Sequence, residues 1–319
     1  MSSTRNPSRG HAREWRDIFY TSFDGLRLRA RHYGGPNPDT RPVVCLAGLT
    51  RNSSDFHRLA SHLANDRSAP REVYALDYRG RGRSEHDPDW RNYSPFTELL
   101  DTLDFMATAN LHDAAIIGTS RGGIIAMLMA VLRPGMIGAA VLNDVGPEIG
   151  TAGLARIMGY AGKIPVPSDW NEAVELVRQI NERFFTDMSS EDWQALARQS
   201  FNETEDGKPA PSYDRNIAKS LSQIDISKRI PDMWAYFDAL QDVPLMILRG
   251  ENTDLLPATT FEEMKRRHPR ANALTIPSQG HPVLFLDKFS VGEVGRFLDD
   301  CDPVREVYRP IPYELYPAA

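Results

Sequence analysis

Regular patterning begins between residues 15 and 33. Ile18, Phe19 and Tyr20 precede an Asp24-Gly25 turn signal, after which Leu26, Leu28 and Ala30 alternate with Arg27, Arg29 and Arg31. Alternation with a period of two sends successive side chains to opposite faces of a strand, which predicts an antiparallel hairpin with one wet, arginine-bearing face. Near residue 42 the pattern changes. Val43, Val44, Cys45, Leu46 and Ala47 are apolar in succession, as in a strand covered on both faces within a parallel sheet. Strand and helix then alternate: helix 54–64, strand 72–76, a helix whose Leu99, Leu103 and Met106 share one face, strand 114–118, helix 122–132 and strand 137–142. Such alternation over short connections implies βαβ units, hence an α/β fold with a mostly parallel sheet of about eight strands and helices on both faces.

The rhythm stops at Val145. Up to about residue 231 the pattern predicts helices and no strand: one helix spans 168–185, with Val174, Val177, Ile180 and Phe184 on one face, and another spans 189–201. Residues 202–212, polar and rich in Gly and Pro, read as a surface loop. Strand and helix resume with 245–248, 258–268, 273–276 and 283–298. The expected organisation is a core made of 15–144 and 232–300, interrupted after the sixth strand by a helical cap at 145–231. A disordered leader is expected at 1–14, and a proline-rich irregular tail at 301–319.

Composition narrows this picture. At 319 residues, with 41% hydrophobic and 25% charged, the chain is long enough for one large α/β domain carrying an insert. No apolar run is long enough to span a membrane, so membrane insertion is not expected. A net charge of -6 works against nucleic acid as a partner, because phosphate binding needs an excess of Lys and Arg. Two cysteines are too few for a disulfide framework, and with no signal-peptide pattern at the start a cytoplasmic location is expected.

The motif with most chemical content is Gly118-Thr119-Ser120-Arg121-Gly122, lying between a predicted strand and a predicted helix. A serine at such a turn has its hydroxyl lifted clear of the sheet, and the glycines are needed where side chains would strike neighbouring backbone. The following helix N-terminus presents free N-H groups, of which that of Arg121 is the expected oxyanion donor. Other signals are weak. Gly80 and Gly82 have no third glycine to complete a dinucleotide fingerprint, and the eight histidines show no metal-ligand spacing, so neither cofactor nor metal is expected. The insert aromatics Tyr160, Trp170, Phe184, Phe185 and Trp193 are expected mainly to pack, with a few lining a pocket.

From about Phe23 to Leu298 the chain resembles the α/β-hydrolases, in their carboxylesterase-like serine-hydrolase branch. Beside the serine turn, Asp77-Tyr-Arg-Gly-Arg-Gly-Arg-Ser84 is similar to the family's turn after its fourth strand, and Leu46-Ala-Gly-Leu-Thr50 stands where many members carry a His-Gly pair. The resemblance makes the Leu49 N-H the second oxyanion donor, although Ala47 replaces the usual histidine. Gly280-His281-Pro282 matches the catalytic histidine loop, and a histidine has the proton affinity that general-base chemistry near neutral pH requires.

Two aspartates compete for the acid. Asp254 follows the penultimate strand, where most members of the family carry it, and is the favoured assignment; Asp144, after the sixth strand, is the alternative. The resemblance implies acyl transfer from a small to medium ester through an acyl-enzyme on Ser120, with no cofactor. Carbon-carbon bond or lactone hydrolysis by the same residues, and a non-catalytic small-molecule receptor on the same fold, stay open. The Arg121 side chain is expected to anchor to the core through an ion pair rather than to hold substrate.

Overall fold

The computed structural model describes residues 14–303. The expected leader, apart from Glu14, and the expected tail, apart from 301–303, lie outside these residues. Among the described residues there are ten strands: β1 (Arg16–Thr21), β2 (Arg27–Tyr33), β3 (Val43–Leu46), β4 (Val73–Asp77), β5 (Ala114–Thr119), β6 (Ile137–Asn143), β7 (Phe201–Glu203), β8 (Pro209–Pro211), β9 (Leu245–Gly250) and β10 (Asn272–Ile276). Eight of them form one sheet in the order β1-β2-β4-β3-β5-β6-β9-β10. Strand β2 runs antiparallel to β1 and β4, and the remaining pairs are parallel.

Every residue of β3, β4, β5 and β6 is buried, as unbroken apolar strands require when helices cover both faces. The helices of the first half are α1 (His57–Ala64), α2 (Pro95–Thr108) and α3 (Arg121–Leu132). Between β6 and β9 follow α4 (Thr151–Tyr160), α5 (Trp170–Asn181), α6 (Ser190–Ser200), α7 (Ile217–Leu221) and α8 (Trp234–Asp238), and after β9 come α9 (Ala258–Arg267) and α10 (Lys288–Asp300). Helix α1 packs on α10, and α3 packs on α2 and α8, giving the two covering layers. Helix α3 is apolar nearly all round, as suits a helix at the centre of the core. Among the described residues no helix is long and apolar enough to cross a membrane.

Three local expectations need correction. Arg29 does not stand on a wet face: it is 3% exposed, because Asp17 and Asp77 pair with its guanidinium. Residues 202–212 are not all loop, since β7 and β8 form a hairpin there. Its turn is closed by the Thr204 N-H donating to the Lys208 carbonyl at 2.9 Å, with Gly207 at φ +78°. Two of the three β8 residues are prolines, which lack an amide donor and hide the strand in the sequence. Finally, α10 starts at Lys288, capped by Asp287, and not at residue 283. Val283, Phe285 and Leu286 are instead buried in the loop that leads away from His281.

The segment between β6 and β9 has a small core of its own, including Val177, Phe185, Trp193, Leu196 and Phe201. It is stitched to the glycine turn after β4: the Gly82 N-H donates to the Ser212 carbonyl and the Asp214 N-H to the Gly80 carbonyl, both at 2.7 Å. That turn is fixed in turn by Arg79, fully buried and paired with Asp24, Asp87 and Asp101.

Candidate active site

Ser120 occupies the junction of β5 and α3 with φ +51° and ψ -110°, a conformation that costs a non-glycine residue roughly 1–3 kcal/mol and persists only where its surroundings enforce it. The enforcement is steric and hydrogen-bonded. A Cβ on Gly118 would lie 2.5 Å from the Gly122 backbone, and one on Gly122 would lie 2.0 Å from the Leu46 carbonyl oxygen, so strand and helix approach as only glycine permits. The Ser120 N-H donates to the Asn143 carbonyl at 2.9 Å, tying the turn to β6.

His281 reaches this turn from the loop after β10. Its Nε2 lies 2.9 Å from Ser120 Oγ, and its Nδ1 lies 2.7 Å from Asp144 Oδ2. The loop is clamped from β6, where Asn143 Nδ2 donates to the Val283 carbonyl at 2.9 Å. Asp144 is fully buried at the end of β6 and has all the partners its charge needs: the Gly250 N-H at 2.9 Å, the Thr253 hydroxyl at 2.6 Å, and the imidazole. Neither Asn143 nor Thr253 stands out in the sequence, because an amide and a hydroxyl after a strand carry no pattern of their own.

The aspartate on His281 is therefore Asp144, and the favoured Asp254 is corrected. Asp254 accepts two hydrogen bonds from Arg156 of α4, at 2.7 and 2.8 Å. Burial pushes the Asp254 carboxyl up, but the Arg156 hydrogen bonds and charge outweigh it and hold the group below the usual carboxylate range. Arg156 also sits over the Phe184 ring, 4.6 Å from its centroid, so the pair belongs to the packing of the insert.

Two backbone amides stand ready beside Ser120. The N-H groups of Leu49 and Arg121 donate to nothing among the described residues. The loop bearing Leu49 passes close to Ser120: a Cβ on Gly48 would lie 3.9 Å from Ser120 Cβ. A contact with no mark in the sequence holds that loop, the Arg81 Nε donating to the Leu49 carbonyl at 2.9 Å. Donors of this kind, aimed where charge develops, are what an oxyanion requires.

Two cavities meet at Ser120. One runs under the insert past Leu49, Ile157, Val177, Leu196 and His281. The other, more open to solvent, is bounded by Arg121, Ile124, Leu154, Leu221 and Leu255. Leu49 and Ile157 belong to both. Of the insert aromatics, Tyr160 and Phe185 line the first cavity, while Trp193 and Phe185 build the small core. Arg121 has an ion pair, as expected, with Glu98 at 3.4 Å, yet it also faces the second cavity.

Residues 43–289 match the alpha/beta hydrolase family. The chain belongs to it. Among family relatives it is 30% identical over 281 residues to a 3-hydroxybutyrate-oligomer hydrolase of Cupriavidus necator, covering 86% of this chain and 93% of that one. To an sn-1-specific diacylglycerol lipase of Danio rerio it is 25% identical over 270 residues, with 83% and 77% covered. A crystal structure of an alpha/beta hydrolase from Novosphingobium aromaticivorans superposes with a TM-score of 0.83 at 37% identity, covering 91% of this chain and 99% of that one. The family fold thus has its eight-stranded sheet here, with Ser120, His281 and Asp144 gathered at the carboxyl ends of β5, β10 and β6.

Proposed function

We propose that this chain is a serine ester hydrolase acting through an acyl-enzyme, with Ser120 as nucleophile, His281 as general base and acid, and Asp144 as the orienting carboxylate. The observation that carries the reading is the unbroken hydrogen-bonded row from Ser120 Oγ through His281 to Asp144, at 2.9 and 2.7 Å. Asp144 accepts a hydrogen bond from the Nδ1-H, which keeps that proton on Nδ1 and leaves Nε2 free to take the proton of the serine hydroxyl as it attacks a carbonyl carbon. The amides of Leu49 and Arg121 receive the oxyanion of the tetrahedral intermediate. His281 then returns its proton to the departing alkoxide, and water repeats the sequence on the acyl-enzyme to release the acid.

An ester is favoured over a carbon-carbon bond or a lactone by the two relatives named above, which act on a 3-hydroxybutyrate oligomer and on a diacylglycerol, both ester-linked molecules. The mostly apolar walls on both sides of Ser120 suit a substrate with a portion on each side of the scissile bond, and the insert at 145–231 acts as the cap over one of them. Ser120→Ala tests the reading. The variant is expected to fold normally and to lose both turnover of short p-nitrophenyl esters and labelling by a fluorophosphonate; labelling that persists in it overturns the assignment.

A further inference from the structure

The two cavities at Ser120 differ in one respect that the reaction makes decisive. The cavity under the insert includes His281, and the other does not. A leaving group must depart within reach of the imidazole that protonates it, so the cavity with His281 takes the alcohol half of an ester. The half in the second cavity stays on Ser120 as the acyl group. This step rests on the hydrolase reading above.

The second cavity is apolar except at a few positions, and its charged lining residues are both cationic, Arg91 and Arg121, with no carboxylate among them. Arg91 is largely exposed and paired with Asp89 at 3.1 Å, so its charge is met. Arg121 is not so placed. Its side chain is 11% exposed, and its acidic neighbour is Glu98, at 3.4 Å, longer than a good charged hydrogen bond. Glu98 is fully buried and gives its other oxygen to Arg81 at 2.7 Å. Two guanidinium groups thus share one carboxylate, leaving one positive charge uncompensated in a buried cluster beside the nucleophile. Tyr78 is the other ionisable neighbour, and burial holds its hydroxyl in the neutral form well past neutral pH. Burial, reinforced by the charge of Arg81, pulls the Arg121 guanidinium below its usual pKa despite Glu98, the mark of a cation short of partners.

We infer that the acyl half of the substrate carries a carboxylate a few carbons from the scissile carbonyl, and that the side chain of Arg121, a residue of the acyl cavity's wall with one shared acid for a partner, is the group that recognises it. The substrate class is the half-ester of a short dicarboxylic acid. A planar fork of donors matches a carboxylate in two-point fashion, and a buried cation that shares its one carboxylate with another guanidinium gains from a second anion. Arg121 then serves the reaction twice, through its backbone amide on the oxyanion and through its side chain on the far end of the acyl group.

The test compares p-nitrophenyl hydrogen glutarate with p-nitrophenyl isoheptanoate, a neutral ester of matched shape, on the unmodified protein and on Arg121→Met and Arg121→Lys. The unmodified protein is expected to favour the charged ester in kcat/KM by about tenfold or more, the ratio to fall at least tenfold in Arg121→Met, and Arg121→Lys to keep part of it. A second measurement stands if Arg121→Met does not fold: free glutarate should inhibit the unmodified protein competitively and more strongly than isoheptanoate. Brisk turnover of the neutral ester with no preference for the charged one, or equal losses on both esters in Arg121→Met, overturns this inference and leaves the hydrolase reading standing. Absence of turnover on both esters together with no fluorophosphonate labelling of Ser120 overturns the hydrolase reading and the inference with it.

Discussion

Arg156 grips Asp254 through two hydrogen bonds, Nε to Oδ2 at 2.7 Å and Nη2 to Oδ1 at 2.8 Å, and so commits that carboxylate to helix α4 of the insert. Asp144, with Gly250 and Thr253 around it, instead holds the His281 imidazole by a hydrogen bond of 2.7 Å. The two aspartates should separate cleanly in kinetics. Asp144→Asn is expected to lower kcat on ester substrates by about four orders of magnitude, because the amide favours the wrong tautomer of His281. Asp254→Asn should stay within about tenfold of the parent. Loss of activity confined to Asp254→Asn would reverse the roles.

The same ion pair gives a signed dependence on pH. The Asp254 carboxyl lies below its ordinary 3.8 in the folded chain, so the stability that it contributes is complete above that value and is lost as pH falls through the depressed one. Thermal unfolding of the parent and of Arg156→Met should therefore differ at pH 7, with the variant melting lower. The gap should close as the pH is taken well below 3.8. A gap that widens in acid contradicts the sign.

Arg79 carries a heavier load. It is fully buried and is the common partner of Asp24, Asp87 and Asp101. Arg79→Met would leave three carboxylates facing one another, and a loss of about 3–5 kcal/mol in urea unfolding is expected. Asp101→Asn should cost far less, because two acids remain for the guanidinium and because burial already pushes the Asp101 carboxyl up to about 6.

Arg81 holds the Leu49 loop by its carbonyl. Arg81→Met is expected to let the Leu49 amide drift from the oxyanion, lowering kcat by about 10- to 100-fold while KM changes little. A boronic-acid inhibitor that mimics the tetrahedral intermediate should lose affinity in step with kcat. Equal losses in KM would point to a general disturbance of the pocket instead.

Much of this architecture is legible in the sequence because it is local. Consecutive apolar residues announce β3 and β5, and the glycines around Ser120 announce a backbone crossing that a side chain would block. His281 is found by its place after the last strand. What escapes is set by partners far along the chain. Asp144 and Asp254 look alike as aspartates after strands, and partners far along the chain distinguish them: Arg156, 98 residues before Asp254, and His281, 137 residues after Asp144. Arg29 alternates as a solvent-facing residue would, yet Asp77, 48 positions away, draws it inside. The β7–β8 hairpin is masked by its own prolines, since the ladder it forms asks little of their missing amides.

The positive φ of Ser120 reaches beyond this one reaction. At +51° a residue branched at Cβ is forced into its own backbone, whereas an unbranched one is merely strained. Cysteine is therefore accommodated at position 120 with less strain than threonine, although threonine differs from serine by a single methyl group. The fold thereby weights which side chains position 120 can sample, favouring an exchange of oxygen for sulfur over an exchange of a primary for a secondary alcohol.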